Sequence, residues 1–345
     1  MAGPRGHRGK VEDQTTLTRW ICELSDTFGP SGREAQVRAH LETLLRGAVS
    51  TVQTDAIGNL IVRRPGPGLR LLVLVPMDES GAVLTHLDRG GRGWLAGLGP
   101  LDPARLAGGR MRLASGQAAV VGVRPRRAAD PGGIGWSRLY LDLGGAAGLS
   151  GAPIAVGDAA VPDVAARVLP GGAVSGRAMA SRAACAAVAM ALHAAGGGAS
   201  GVDLTVAFVV QGELGQRGVR PVVAACPADR IFAVGGVGAT DTPRAHGADL
   251  RLGDGACLVV QDHGMVASPA ALDALAGAAR RVGRQLQVAV ADGGTSAAGP
   301  ALQAAVGVAA GALALPVRYR HGPVEVIEPV DAAALVEVLA ALWRE

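Results

Sequence analysis

The stretch Leu204-Thr-Val-Ala-Phe-Val-Val-Gln-Gly-Glu-Leu-Gly-Gln-Arg-Gly218 decides how this chain is read. Residues 204–210 form a β-branched apolar run with no polar face, the pattern of a strand covered on both sides in a parallel sheet. Gln211, Gly212 and Glu213 then make a polar turn at its carboxyl end, and an apolar segment rich in small residues follows. Open α/β sheets gather their ligands at that end of their strands. A lone carboxylate there is ordinarily a helix N-cap or a solvated turn, so Glu213 becomes a candidate only through the motifs around it.

Working outward, Leu71-Leu-Val-Leu-Val75 is a second buried strand, and its carboxyl end carries Pro76-Met-Asp-Glu79. Two strand ends therefore present acidic turns. Before them, Leu17, Ile21 and Leu24 recur at helical spacing, and Phe28-Gly-Pro-Ser-Gly-Arg-Glu34 breaks that helix. A second helix lines Val37, Leu41, Leu44 and Leu45 on one face, with Ser31 and Glu34 giving the Ser-x-x-Glu cap signature. Residues 51–55 and 59–63 read as strands joined at Gly58-Asn59. From about Ser80 to Val161 the pattern becomes short alternating segments separated by Gly-rich turns, which predicts a small β-barrel or sandwich inserted into an α/β domain. The α/β alternation then resumes, with helices over 178–193, 270–282, 297–309 and 330–343 and strands over 230–234, 257–261, 286–290 and 313–317. The expected organisation is a flexible N-terminus at 1–16, an α/β domain of 17–79 with 162–345, and a β insertion over 80–161.

Composition narrows the function. Of 345 residues 49% are hydrophobic, ample for a core, although only three Phe, two Tyr and four Trp are present. Lys10 is the sole lysine. The net charge of +4 is spread along the chain, and the densest basic cluster, Arg124 to Arg127, is short and lacks interleaved aromatics, which excludes a nucleic-acid-binding surface of the usual kind. Cys22, Cys185, Cys226 and Cys257 lie far apart with no C-x-x-C pair, so buried reduced thiols and a cytoplasmic location are expected. The first sixteen residues lack the apolar region of a signal peptide, and no stretch approaches an uninterrupted membrane span.

Seven phrases, Leu24-Ser-Asp-Thr-Phe-Gly-Pro-Ser-Gly32, Asp55-Ala-Ile-Gly-Asn-Leu60, Val75-Pro-Met-Asp-Glu79, Gln211-Gly-Glu-Leu-Gly-Gln-Arg-Gly218, Asp241-Thr-Pro243, Gly293-Gly-Thr295 and Arg318-Tyr-Arg-His-Gly-Pro-Val-Glu325, stand in a fixed order. In order and spacing the chain resembles the tetrahedral aminopeptidase family, which contains glutamyl and deblocking aminopeptidases and relatives once called cellulase-M-like. The resemblance runs from about Leu17 to the end. It implies a phosphorylase/hydrolase-like α/β sandwich with an inserted barrel-like dimerisation domain, and assembly into dimers and hollow shells. It also implies hydrolysis of peptide N-terminal residues with two metal ions, usually zinc or cobalt.

Two adjacent cations need a bridging carboxylate, further Asp, Glu and His ligands, and a Glu general base for the bridging water. Carried over position by position, the resemblance finds most of that set missing. Pro76 stands where the family has a ligand His, and Ala180-Ser181 where it has Asp-Asp with the bridging ligand. Gly212 replaces the general base, and Gly235 replaces another Asp. Ser296 follows Gly293-Gly-Thr295 where the family has Asp. Glu213 and His321 remain as matching metal ligands, and Asp78 remains as the partner that would orient the lost histidine. Ser181, His263, Thr295, Ser296 and Arg318 are expected to line the cleft.

The leading expectation is thus a catalytically degenerate relative of the dinuclear aminopeptidases, a pseudo-peptidase subunit or scaffold that assembles with itself or with an active paralogue. No cofactor is expected, or at most one weakly bound zinc or cobalt ion on Glu213, His321 and a borrowed Asp78 or His263. Two alternatives stay open. One is a hydrolase with a remodelled site, in which Ser181 or Ser296 acts with His321 and Asp78. The other is a peptide-binding protein that uses the old cleft without chemistry.

Overall fold

The run at 204–210 enters the middle of an eight-stranded sheet, and the residues that follow it form one wall of a cleft. The computed structural model describes residues 5–49, 51–126, 132–145, 154–196, 201–243, 245, 249–291, 296–305 and 307–344, with side chains from residue 13 onward. In chain order the elements are α1 (Arg5–Asp26), α2 (Ala35–Leu44), β1 (Val52–Thr54), β2 (Leu60–Arg64), β3 (Arg70–Pro76), β4 (Gly81–Leu87), β5 (Arg92–Leu98), β6 (Arg110–Leu113), β7 (Ala118–Val123), β8 (Leu139–Asp142), β9 (Ala159–Pro162), β10 (Arg167–Val168) and β11 (Val174–Gly176). They continue with α3 (Met179–Ala194), β12 (Asp203–Val209), α4 (Val219–Ala225), β13 (Arg230–Gly238), β14 (Cys257–Gln261), α5 (Pro269–Arg281), β15 (Gln287–Val290), α6 (Ala298–Ala304), β16 (Ala309–Val317), β17 (Glu325–Ile327) and α7 (Pro329–Leu342).

The large sheet runs β1-β2-β12-β3-β13-β16-β14-β15. Strands β12, β3, β13 and β16 are mutually parallel, so their carboxyl ends open on one edge, while β2 pairs antiparallel with β12 and β14 antiparallel with β16. The sheet is therefore mixed, and the central strand has one parallel and one antiparallel neighbour. Its unbroken apolar character is explained by both faces being covered. Leu204, Val206 and Phe208 pack into the core shared with α1, α2, α3, α5 and α7, whereas Ala207 and Val209 pack with Val219 and Val222 of α4 and Ala298 and Ala301 of α6.

Helix α3 is Ala-rich and buried on nearly every side, the mark of a helix sandwiched between layers rather than lying on one. Its small side chains let the backbone approach the sheet, α1 and α7. Helix α7, started by Pro329 at its first turn, is apolar apart from the buried Asp331 and the half-buried Glu337, which pairs with Arg284, and it ends at the fully buried Trp343.

Strands β4-β5-β8-β7-β6-β9 close into a barrel, with Leu84, Leu95, Met111, Val121, Leu139 and Leu141 filling its interior. The fold is thus a mixed α/β sandwich with a closed six-strand barrel. A small antiparallel sheet, β10-β11-β17, has no counterpart in the sequence reading. It matters because the pairing of Gly176 with Glu325 brings Glu325 to the start of α3.

Three boundaries differ from the sequence reading. Helix α1 begins at Arg5 rather than Leu17, extending into the stretch read as a flexible terminus. Helix α6 ends at Ala304 and β16 begins at Ala309, because the backbone of 309–312 pairs with 230–233 of β13, and Ala-rich sequence alone does not distinguish the two states. Ser31 and Glu34 do not form a capping box. The α2 N-cap makes no side-chain bond, and both side chains reach across the fold, Ser31 to Asp78 and Glu34 to the backbone of Gln211.

Candidate active-site cleft

The carboxyl ends of β3, β12 and β16 deliver Pro76 and Asp78, Gln211 to Glu213, and Arg318 to His321 to one edge of the sheet, where the carboxyl half of β13 adds Gly235 and the amino end of α3 adds Ala180 and Ser181. Among the described residues, the non-glycine residues with positive φ are Ala178 (53°), Gln211 (53°), Gln216 (58°), Tyr319 (60°) and His321 (64°), and all of them lie in these loops. Left-handed backbone costs a non-glycine residue about 1–2 kcal/mol. Strain of this kind persists only where surrounding contacts impose it.

The contacts are visible at Asp78. Its Oδ1 accepts the Gly212 N–H at 2.9 Å, and its Oδ2 accepts the Glu213 N–H at 2.9 Å and the Ser31 hydroxyl at 2.5 Å. The carboxylate therefore holds the 211–213 turn in place. Burial raises the Asp78 pKa above the usual carboxylate value, against the pull of these three donors. Next to it, Glu79 is buried with two arginines, Arg177 at 2.7 Å and Arg182 at 3.1 Å, and Arg182 donates further to the carbonyl of Met77 at 2.6 Å. This network ties β3 to α3.

Glu213 faces the cleft and accepts the Ser80 hydroxyl at 3.1 Å on Oε2. Burial first, then the charge of Asp78, pushes its carboxyl up to about 7, while the guanidinium of Arg320 pulls it down. His321 is pinned through its backbone: its N–H donates to Glu325 Oε1 at 2.9 Å and its carbonyl accepts from Asp102 N at 2.9 Å. Burial, reinforced by the cations Arg320 and Arg105, holds its imidazole down to about 4, so the ring is neutral near pH 7. Glu325 also accepts the Ala180 N–H at 3.0 Å, and burial holds its pKa above the usual range.

The cleft encloses about 660 Å³ of space that opens to solvent, and three of the positions without a metal-binding side chain, Pro76, Ala180 and Gly235, share its walls with Ser181, Glu213, Asp262, Ser296 and Arg320. A smaller recess of about 390 Å³ adjoins it through Ala180, Ser181, Glu213 and Arg320, and there His321 joins Glu213.

Other candidates fall differently. Arg318 does not line the cleft, because Asp241 engages its guanidinium twice, at 2.8 and 2.6 Å, and Arg320 takes the place expected for it. His263 is exposed, and its neighbour Asp262 turns inward instead, fixed by the N–H groups of Gly264 and Ser296. Thr295 lies outside the described residues. The Ser181 hydroxyl donates to the carbonyls of Asp78 and Ala178, and Asp78 is satisfied by Ser31 and the turn, so among the described residues Ser181, His321 and Asp78 are not joined into a nucleophilic triad.

A metal pair does not fit this donor set. Among the described residues no three His, Cys, Asp or Glu side chains are grouped to hold an ion. Asp78 spends both oxygens on Ser31 and the turn, and Pro76, Ala180, Gly212 and Gly235 offer no donor atom. Gly212 also lacks room: a Cβ there would lie 2.7 Å from both Asp78 Oδ1 and Pro76 Cβ. Gly235 is different, with nothing within 4 Å of such an atom.

Comparison with known proteins follows the same outline. The M42 glutamyl aminopeptidase family profile matches residues 58–338. A provisionally named aminopeptidase of Acetivibrio thermocellus is 28% identical over 320 residues, covering 92% of this chain and 96% of its own length. An aminopeptidase from the archaeon Desulfurococcus kamchatkensis superposes with a TM-score of 0.89 at 25% identity, covering 96% of this chain and 95% of its own. The TET1 peptidase of Pyrococcus horikoshii, which can assemble into a tetrahedron or a large octahedral shell, gives a TM-score of 0.82 at 26% identity, over 95% of this chain and 99% of its own.

Proposed function

The chain belongs to the M42 glutamyl aminopeptidase family, and from that premise we propose that it is a catalytically degenerate member, a non-catalytic subunit whose role lies in assembly. The packing at Gly212 carries this reading. Where the resemblance places the general base, Asp78 and Pro76 fill the space a side chain would need, so the site is closed around its vacancy rather than merely missing one group. Absence of a general base lowers the rate by about 100-fold to 10,000-fold. Structural zinc sites are held by about 10–16 kcal/mol, shared among roughly four ligands. Glu213 and His321 alone fall well short of that.

The retained scaffold supports a role in assembly. The Asp78 and Glu79 networks and the strained loops fix the walls of the cleft, and the barrel within residues 81–162 is read as the inserted dimerisation domain that the resemblance implies. On this reading the protein is cytoplasmic and forms a homo-oligomeric shell, as the P. horikoshii peptidase does, or enters a mixed shell with an active paralogue. Among the described residues no helix is long and apolar enough to cross a membrane.

The test pairs metal analysis of protein purified without chelator with assays on several aminoacyl substrates in added zinc and cobalt. Turnover with stoichiometric metal would overturn the reading. Native mass spectrometry after co-expression with an intact paralogue separates the two assemblies. A single weakly bound zinc or cobalt is the alternative, since Glu213 and His321 line the same recess, and it predicts at most one ion per chain, taken up when zinc or cobalt is added.

A further inference from the structure

Arg320 Nε and Ser296 Oγ, both buried atoms in the walls of the cleft, have no hydrogen-bond partner among the described residues. Folded proteins leave few such groups unsatisfied, and a charged one is the most costly to leave so. The neighbouring arginines are committed elsewhere, Arg318 to Asp241 and both Arg177 and Arg182 to Glu79, whereas Arg320 enters no such pair among the described residues. It lines both the main cleft and the recess beside it.

We propose that the cleft binds a small zwitterion of the free amino acid class, with its carboxylate on Arg320 and Ser296 and its ammonium on Glu213. This rests on the reading of the chain as a relative without a metal pair, because the ions would occupy the same space. The charges select the class. Glu213 and Asp262 line the main cleft with Arg320, and Glu213 and Glu325 line the recess with it, so a simple anion meets carboxylates and a simple cation meets Arg320. A molecule with both charges satisfies each. Glu213 has an oxygen to offer, since Ser80 occupies Oε2 and no donor reaches Oε1 among the described residues. The walls select the size. Ala180, Gly235, Ala291, Ala312 and Ala314 line the cleft with nothing larger than a methyl group, which leaves room for a short side chain.

The experiment is calorimetric titration of the full chain, held in chelator, with L-alanine, with L-alaninamide, which lacks the carboxylate, and with propionate, which lacks the ammonium. L-alaninamide forgoes the charge-assisted bond to Arg320 and propionate the one to Glu213, so L-alanine binds about tenfold to a hundredfold tighter than either analogue. Arg320→Met abolishes the preference for L-alanine over L-alaninamide, Arg320→Lys keeps part of it, and Ser296→Ala weakens L-alanine binding by several-fold. The proposal is overturned if L-alanine binds no tighter than L-alaninamide, if Arg320→Met leaves that preference intact, or if none of the three ligands binds. Should Arg320→Met fail to fold, the comparison of ligands on the unaltered protein decides. Peptidase turnover with added metal would remove the non-catalytic reading without changing these ratios in chelator, so the two failures are distinguishable.

Discussion

The Asp78 carboxylate accepts the Gly212 N–H at 2.9 Å, and its Oδ1 would lie only 2.7 Å from a Cβ added to Gly212. The bond that fixes the turn is thus the contact that forbids a side chain on it. Proline 76 closes the other side, with its Cβ also 2.7 Å from that point. Gly212→Ala should therefore destabilise the fold by about 1–3 kcal/mol through overpacking, measured by urea denaturation. At Gly235, where the same added atom meets nothing within 4 Å, Ala should be close to neutral. Equal effects at the two glycines would refute the packing account.

Glu79→Gln tests the scaffold beneath the cleft. The substitution preserves size but leaves Arg177 and Arg182 without their carboxylate, and both guanidinium groups are almost fully buried. Breaking a buried ion pair from one side costs about 3–5 kcal/mol. A shift in urea midpoint worth less than about 1 kcal/mol would mean that water reaches these groups in solution.

Chelation should leave the protein unchanged. A resident ion at a thousand times its Kd adds about 4 kcal/mol to stability, so dialysis against EDTA would lower Tm by several degrees if one were held. No shift is expected. Restoring the family's lost ligands together, as Pro76→His, Ala180→Asp and Gly235→Asp, should make Tm rise with added zinc. Gly212→Glu alone should not, because it restores the position of the general base and leaves Pro76, Ala180 and Gly235 without ligand side chains, besides colliding with Asp78. A zinc-dependent Tm in the unaltered protein would contradict both expectations.

Much of this architecture was legible in the sequence because its signals are local and strong. The apolar runs ending in Val75 and Val210, the turn at Gly212-Glu213 and the change to short alternating segments after Ser80 each follow from side-chain pattern alone. What escaped depends on contacts between distant segments. Nothing near Ser31 or Glu34 indicates that they serve Asp78 and Gln211 rather than their own helix. Arg318 and Arg320 are indistinguishable by pattern, and only the position of Asp241, in a different loop, commits the first and leaves the second in the cleft. The strands β10, β11 and β17 are too short for periodicity to reveal, yet they bring Glu325 to α3.

The last prediction concerns pH. Asp331, in the first turn of α7, accepts the N–H groups of Gly253 at 2.9 Å and Gly255 at 2.8 Å, one on each oxygen. Burial, the largest influence, nevertheless raises its carboxyl to about 6, against about 3.9 for an unfolded aspartate. Between those values the folded chain binds more protons than the unfolded one, so this group's contribution to stability falls as pH rises from about 4 to about 6 and is level above that. Asp331→Asn cannot titrate. It presents an amide NH₂ to one of the two glycine N–H groups, which costs about 1–3 kcal/mol at pH 4, and its disadvantage should shrink as the pH approaches 7 and the natural carboxylate bears its burial penalty. Urea denaturation of both proteins at intervals of pH from 4 to 7 isolates this residue from every other titrating group, because all the others are common to the two. A constant difference across that range would show that Asp331 is ionised in the folded state throughout, with the two glycine donors outweighing its burial.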